Sequence, residues 1–202
     1  MDVASGRPGE RGAEGTRERI VAAAFRVLAR DGYSATTMKG IAREAGVALG
    51  LAHYYFDSRE DVLVAAVDYG RARRFAEQPP AAPSKLEDAY RVVDVWRGAL
   101  DRHRDFYILV FDMYGVGLHN PKIAAAVRRF IDEDRSYIEG IVRAALTELG
   151  LDQDNVPALT GAIWGGLNGI LLQKLNDDAF DRDAALDALV AMILARVAQL
   201  VS

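Results

Sequence analysis

The side chains able to do covalent, metal or acid–base chemistry are few and poorly spaced for it. The 202-residue chain has no cysteine, so it offers no thiolate nucleophile, no disulfide and no cysteine-based metal site. Its three histidines, His53, His103 and His119, lie far apart in sequence. Asp101, His103 and Asp105 alternate along one stretch of expected helix, which points the histidine away from both carboxylates. Di-metal helical bundles use Glu-x-x-His pairs, and the sequence contains none. It also lacks a phosphate loop and a dinucleotide-binding glycine fingerprint. No cofactor or metal is therefore expected, and an enzyme built in a helical bundle is kept only as an alternative.

A different chemistry is carried by residues 37–54. Here two short apolar-periodic segments, Met38–Ala45 and about Ala48–Tyr54, flank the turn Ala45-Gly46-Val47. This is the layout of a helix-turn-helix, which lays its second helix in the DNA major groove while the first crosses the backbone. Thr36 and Thr37 stand where hydroxyls and free N–H groups at a helix start can grip a phosphate. Plain capping is the competing role, and Thr37 is expected to do both. Lys39, one turn in, can reach phosphate or a base edge, or simply stay solvated.

The elements that must hold these residues are helical almost throughout. Ile20, Val21, Ala24, Phe25 and Leu28 recur at three and four spacing, and Gly32 is placed to end that helix. Ser58 with Asp61 resembles a capping box for the next helix, which carries Val62, Leu63, Ala66 and Val67 and runs out in Arg71, Arg73 and Arg74. Pro79, Pro80 and Pro83 mark a linker over 78–84. Beyond it the pattern predicts helices at about 85–103, 105–117, 121–149, 156–177 and 183–201. The predicted fold class is all-α. Its expected divisions are a disordered N-terminal arm over 1–15, a reader domain over 16–62 and a larger helical domain over 63–202.

Residues Thr16 to Leu63 resemble the N-terminal domain of the TetR family of bacterial transcriptional regulators. The matching pieces are Arg19-Ile20, Ala23-Ala24, Gly32-Tyr33, Thr36-Thr37, Ile41-Ala42, Ala45-Gly46-Val47, Gly50, Tyr55-Phe56 and Ser58-Arg59-Glu60. The resemblance implies a DNA-binding regulator, most often a repressor released from its operator by a small effector. An activator of the same fold is the alternative. It also implies that Arg59 takes the family's phosphate-contacting lysine position, a task a guanidinium suits. The recognition helix departs from the family pattern, with Ala48, Leu49, Leu51 and Ala52 around Gly50 and His53-Tyr54 where a tyrosine is usual. Ala48, Leu49 and Leu51 cannot hydrogen-bond a base through their side chains but can touch thymine methyls. His53 can donate to phosphate or base, with Tyr54 beside it. Readout through apolar contacts and DNA shape is the expectation.

The resemblance further implies a homodimer through the last two helices, on a near-palindromic double-stranded operator. Paired recognition helices must sit about 34–36 Å apart to read successive grooves. Gly161, Gly165 and Gly169 and the apolar face from Leu186 to Leu200 fit such an interface. The uncharged stretch 155–173 also has the composition of a membrane helix, but its glycines, Thr160, Asn168 and Gln173 fit a buried helix of a cytoplasmic protein with no membrane contact. A small, mostly apolar effector would be lined by Trp96, Phe106, Tyr107, Phe111, Tyr114, His119, Trp164 and Asn168, each of which is alternatively ordinary core. The net charge of −4 argues against nucleic acid only until it is divided. Residues 1–74 hold 12 basic and 10 acidic side chains, whereas 75–202 hold 13 and 19. DNA affinity is thus expected to rest on a few placed contacts and on dimerisation, not on a broad positive field.

Overall fold

The computed structural model describes residues 8–77, 93–94 and 96–201. The elements are α1 (Pro8–Ala35), α2 (Met38–Ala45), α3 (Leu49–Tyr55), α4 (Arg59–Glu77), α5 (Ala99–Gly117), α6 (Pro121–Glu148), α7 (Val156–Asn176) and α8 (Arg182–Val201). No strand occurs among the described residues. The linker at 78–84 and the first part of the helix expected at 85–103 lie outside them. The break expected near residue 104 is a kink inside α5, where His103 leaves helical geometry at φ −134°, ψ 32°.

The arm expected over 1–15 is corrected in its second half. Residues 1–7 are not described, but α1 already starts at Pro8. A proline suits a first helical turn because its missing N–H would have no partner there.

The described chain divides into two compact units. The first joins residues up to Glu77 with Ile108–Ala126; the second joins those of Gln78–Tyr107 with Val127–Ser202. This differs from a cut at 62/63, which falls within α4. In the first unit Ile20, Ala24 and Leu28 of α1 meet a core completed by Ile41 of α2, Ala52 of α3, Phe56, and Val62, Leu63 and Ala66 of α4, all buried. Leu109, Met113 and Ile123 of the 108–126 segment are buried too. In the second unit the core comes from Ile138, Val142 and Leu146 of α6 and Val156, Leu167 and Leu171 of α7. From α8 only Leu186 is buried.

Glycine placement explains how α7 and α8 meet. A Cβ on Gly166 would lie 2.8 Å from Leu189 Cδ1, so that glycine admits α8 closely. Cβ atoms on Gly161, Gly165 or Gly169 would meet nothing within 4 Å, so the four-residue glycine series faces open space. By length and composition α8, and not the 155–173 stretch, is the described helix able to cross a membrane. Little of that helix is buried within the described chain.

Candidate nucleic-acid interface

The candidate reading surface is built from α2 and α3. Thr37 opens α2 in extended geometry, and its Oγ1 accepts the Gly40 N–H at 3.1 Å. At the other end Gly46 adopts the left-handed conformation (φ 66°, ψ 37°), and Gly46 and Val47 donate their N–H groups to the carbonyls of Arg43 and Ala42. That paired closure needs a residue without a Cβ penalty. Three arginines of α1 tie α2 down. Arg19 donates to the Ala45 carbonyl at 3.2 Å, and Arg26 and Arg30 reach Glu44 at 3.0 and 3.4 Å.

The helix α3 is anchored through its back. Ala52 is fully buried, and Phe56 behind it lies under the Arg17 guanidinium, 5.1 Å from the ring centroid. The opposite face carries Ala48, Leu49, Gly50, Leu51, His53 and Tyr54, all exposed. Two leucines and a tyrosine (79% exposed) left in water on a seven-residue helix are unusual unless something covers them. Tyr54 stacks edge-on against Tyr55 at 5.2 Å, which holds its ring. Thr37 and Lys39 are exposed as well.

Two residues expected to contact phosphate sit differently. Thr36 is fully buried, and its hydroxyl donates to the Gly32 carbonyl at 2.7 Å. Its side chain closes the end of α1 and is out of reach of a phosphate. Arg59 is turned inward: its guanidinium lies 4.2 Å from the Tyr33 ring centroid and donates to the Thr36 carbonyl at 3.1 Å and to Glu60 at 3.3 Å. Tyr33 also donates its hydroxyl to Glu60 at 3.2 Å. Burial pushes the Glu60 carboxyl up, but a backbone hydrogen bond, Tyr33 and Arg59 outweigh it and leave it below the usual range. The guanidinium keeps about a quarter of its side-chain surface, so a phosphate would have to share it.

The sequence places Gly32 at the end of α1 but does not reveal the partners that Asp112 and Lys122 supply there. Gly32 breaks the helix at φ 74°, ψ 171°. The freed N–H of Tyr33 donates to Asp112 Oδ2 at 2.5 Å. Near it, Lys122 reaches Asp61 at 2.5 Å and donates to Ser58 Oγ at 3.1 Å. Lys122 and Ser58 hold the Asp61 carboxyl below the usual carboxylate range. Ser58 in turn caps α4 by accepting the Asp61 N–H at 3.2 Å, as the capping-box pattern predicts. A faint signal for Asp112 existed: it is the single charge between Phe106 and Leu118.

The aromatic candidates for effector binding are dispersed. Trp96, Phe106 and Tyr107 are buried in the second unit, and ring contacts of 5.5–6.1 Å link Tyr107 to both of the others. Phe106 also meets Phe130 at 5.8 Å. Phe111 and Tyr114 pair edge-on at 5.6 Å on the portion of α5 that belongs to the first unit, and His119 is exposed. Asn168 is buried and donates to the Trp164 carbonyl at 2.9 Å. The second unit instead contains an apolar cavity of about 350 Å³ between α6, α7 and α8, which none of these residues lines. Among the described residues no cluster of three His, Asp or Glu is placed to hold a metal.

The family described as bacterial regulatory proteins, tetR family, matches residues 20–66, the segment that builds α1 to α4 around this surface. Residues 20–66 carry the tetR-family reader segment. The likeness of this chain to known proteins extends past the matched segment. It is 23% identical over 165 residues to the HTH-type transcriptional regulator CymR of Pseudomonas putida, covering 79% of each chain. Its fold is similar to that of a TetR transcription regulator from Haloarcula marismortui, with a TM-score of 0.78 at 18% identity, covering 90% of this chain and 98% of that one. It is also similar to the multidrug binding protein EbrR complexed with imidazole, at 27% identity and a TM-score of 0.63, covering 87% and 93%. This chain is thus a helix-turn-helix transcriptional regulator.

Proposed function

We propose that the chain is a cytoplasmic repressor released from a near-palindromic operator by a small, mostly apolar effector. The observation that carries the reading is the exposed α3 face on a fully buried back. Ala48, Leu49 and Leu51 meet thymine methyls, and His53 and Tyr54 add hydrogen bonds to base or phosphate. Thr37 and Lys39 hold the backbone; the Thr37 oxygen already accepts from Gly40, so its hydroxyl hydrogen is the part offered to phosphate. Arg59 acts chiefly by setting the end of α1 and contributes a partial phosphate contact.

Two copies join through α7 and α8. Supporting this are the open glycine series at 161, 165 and 169 and the exposed apolar side of α8, where Met192 is 63% exposed. The resemblance to EbrR, a multidrug binding protein complexed with imidazole, supports a small-molecule effector. Binding shifts the population toward a form whose recognition helices are wrongly spaced for DNA. The helices α5 and α6 each have residues in both units, and Asp112 and Lys122 grip the end of α1 and the start of α4, so they are the proposed relay.

The test is a fluorescence-anisotropy titration with the DNA upstream of the chain's own gene. Binding tighter than to random DNA, lost on adding effector, is expected. Equal affinity for random DNA would sink the local-repressor reading, and an effector-saturated protein that holds its operator as tightly as before would sink induction.

A further inference from the structure

The cavity between α6, α7 and α8 has a chemistry of its own. Its walls include Ile138 and Val142 of α6, Leu167 of α7, and Leu189, Ile193 and Val197 of α8, and every other lining residue is likewise valine, isoleucine, leucine or alanine. Among the described residues no aromatic ring and no side-chain hydrogen-bonding group faces it. The neighbouring aromatics of the same unit are spent on one another, in the Trp96–Tyr107–Phe106–Phe130 contacts. The cavity is partly open to solvent, with Leu194 and Val201 of its lining exposed, so an apolar occupant would take that surface out of water.

We infer that this cavity is an alkyl-chain site, taking the unbranched chain of a small neutral amphiphile such as a medium-chain alcohol. The volume, about 350 Å³, lies at the small end of the range for ligand pockets and suits a small occupant. Flat aromatic ligands gain from ring stacking, and the walls offer none. The head group follows from the rim. Val93 and Leu186 line the cavity, and beside them Arg97 is already engaged by Asp187, Asp183 and Asp94. Among the described residues a carboxylate arriving there would meet three aspartates around an arginine they already engage, so a neutral head is favoured. The roof, α8, is held closely where Gly166 meets Leu189 and is otherwise mostly exposed, which leaves it able to adjust over chains of different length.

That the occupant acts as the inducing effector rests on the repressor reading; that it binds does not. The experiment titrates the full chain with hexan-1-ol, octan-1-ol and decan-1-ol, with decanoate and 2-naphthol as controls, and follows binding by calorimetry and operator release by anisotropy. Affinity is expected to rise about fourfold per added methylene until the cavity is full. The controls should bind more weakly than decan-1-ol. Ala145→Phe, which places a ring in the cavity, should abolish alkanol binding while leaving operator affinity of the free protein unchanged. Should that variant fail to fold, Val197→Thr adds a hydroxyl to the wall at almost constant shape and should weaken decan-1-ol several-fold. Affinity independent of chain length, or binding unaltered by these substitutions, overturns the inference. So does loss of alkanol binding as protein concentration rises, because the cavity would then be covered by a second copy. Alkanol binding with the expected slope but no operator release upholds the site and refutes only its role in induction.

Discussion

Replacing Gly32 by alanine should destabilise the reader unit far more than its contacts suggest. Gly32 sits at φ 74°, ψ 171°, a region open in practice only to glycine. A Cβ there would meet Asp112 Oδ2 at 3.6 Å, an ordinary contact, so packing adds little and the cost is backbone strain. Such strain costs about 1–3 kcal/mol. For a chain of this size about 2–4 °C of melting temperature accompanies each kcal/mol, so the expected fall is roughly 2–12 °C. Gly46 supplies the control. Its φ 66°, ψ 37° is the left-handed region that asparagine also visits, and a Cβ there meets nothing within 4 Å. Gly46→Asn should therefore cost at most about 1 kcal/mol, while Gly32→Asn should match Gly32→Ala. Thermal melts by circular dichroism on the four proteins decide it. If Gly32→Ala melts within a degree of the parent, or if the two asparagine variants are equal, the strain argument is wrong.

Other expectations concern the relay, the acid limb, the interface and the readout. Asp112→Ala leaves the Tyr33 N–H without its acceptor and should cost about 1–3 kcal/mol in urea unfolding; a loss below a few tenths would show that water replaces the carboxylate at no expense. Asp61 is held below its ordinary value of 3.8, so its contribution is complete above that pH and vanishes as pH falls through the lower folded value. Stability should thus fall on acidification below about pH 5, and Lys122→Met should flatten that limb by ~0.2–1 kcal/mol, given that both side chains are partly exposed. Combining Gly165→Leu with Met192→Asp should shift sedimentation to the monomer and weaken operator binding with helix content intact; an unchanged dimer would place the interface elsewhere. Lys39→Ala should weaken all DNA alike and lower the salt slope by about one, whereas Leu49→Ala should change which sequence is preferred.

Features set by neighbours in sequence could be read before any coordinates. Gly32, Gly46 and Gly150 all have positive φ and punctuate helices where their placement implies. Asn120 caps α6 through the N–H groups of Lys122 and Ile123, with Pro121 in the first turn. The candidate reading face was visible from the helix-turn-helix spacing around Ala45-Gly46-Val47 and from the TetR-like residues flanking it. What escaped depends on contacts between distant positions. Asp112 meets a backbone N–H 79 residues earlier, and a lone carboxylate in an apolar helix does not name its partner. Thr36 and Thr37 look equivalent in sequence, yet one is buried under the end of α1 and the other opens α2. Arg59 turns inward because the Tyr33 ring and the Thr36 carbonyl compete for its guanidinium. The glycine that meets α8 is Gly166, one position away from the repeating series, and only the packing distinguishes them.

The membership of Ile108–Ala126 in the first unit bears on how portable that unit is. The seam does not run at one point along the chain: α5 and α6 are each continuous through it. A hybrid regulator spliced once, after Glu77, would discard Asp112 and Lys122 together with the buried Leu109, Met113 and Ile123. The transplanted reader would keep the exposed residues of α3 while losing the acceptor for Tyr33 and the ammonium that steadies Asp61. A working graft has to carry two pieces, the segment through α4 and the helical hairpin 108–126, with the donor's joints placed inside helices and in register.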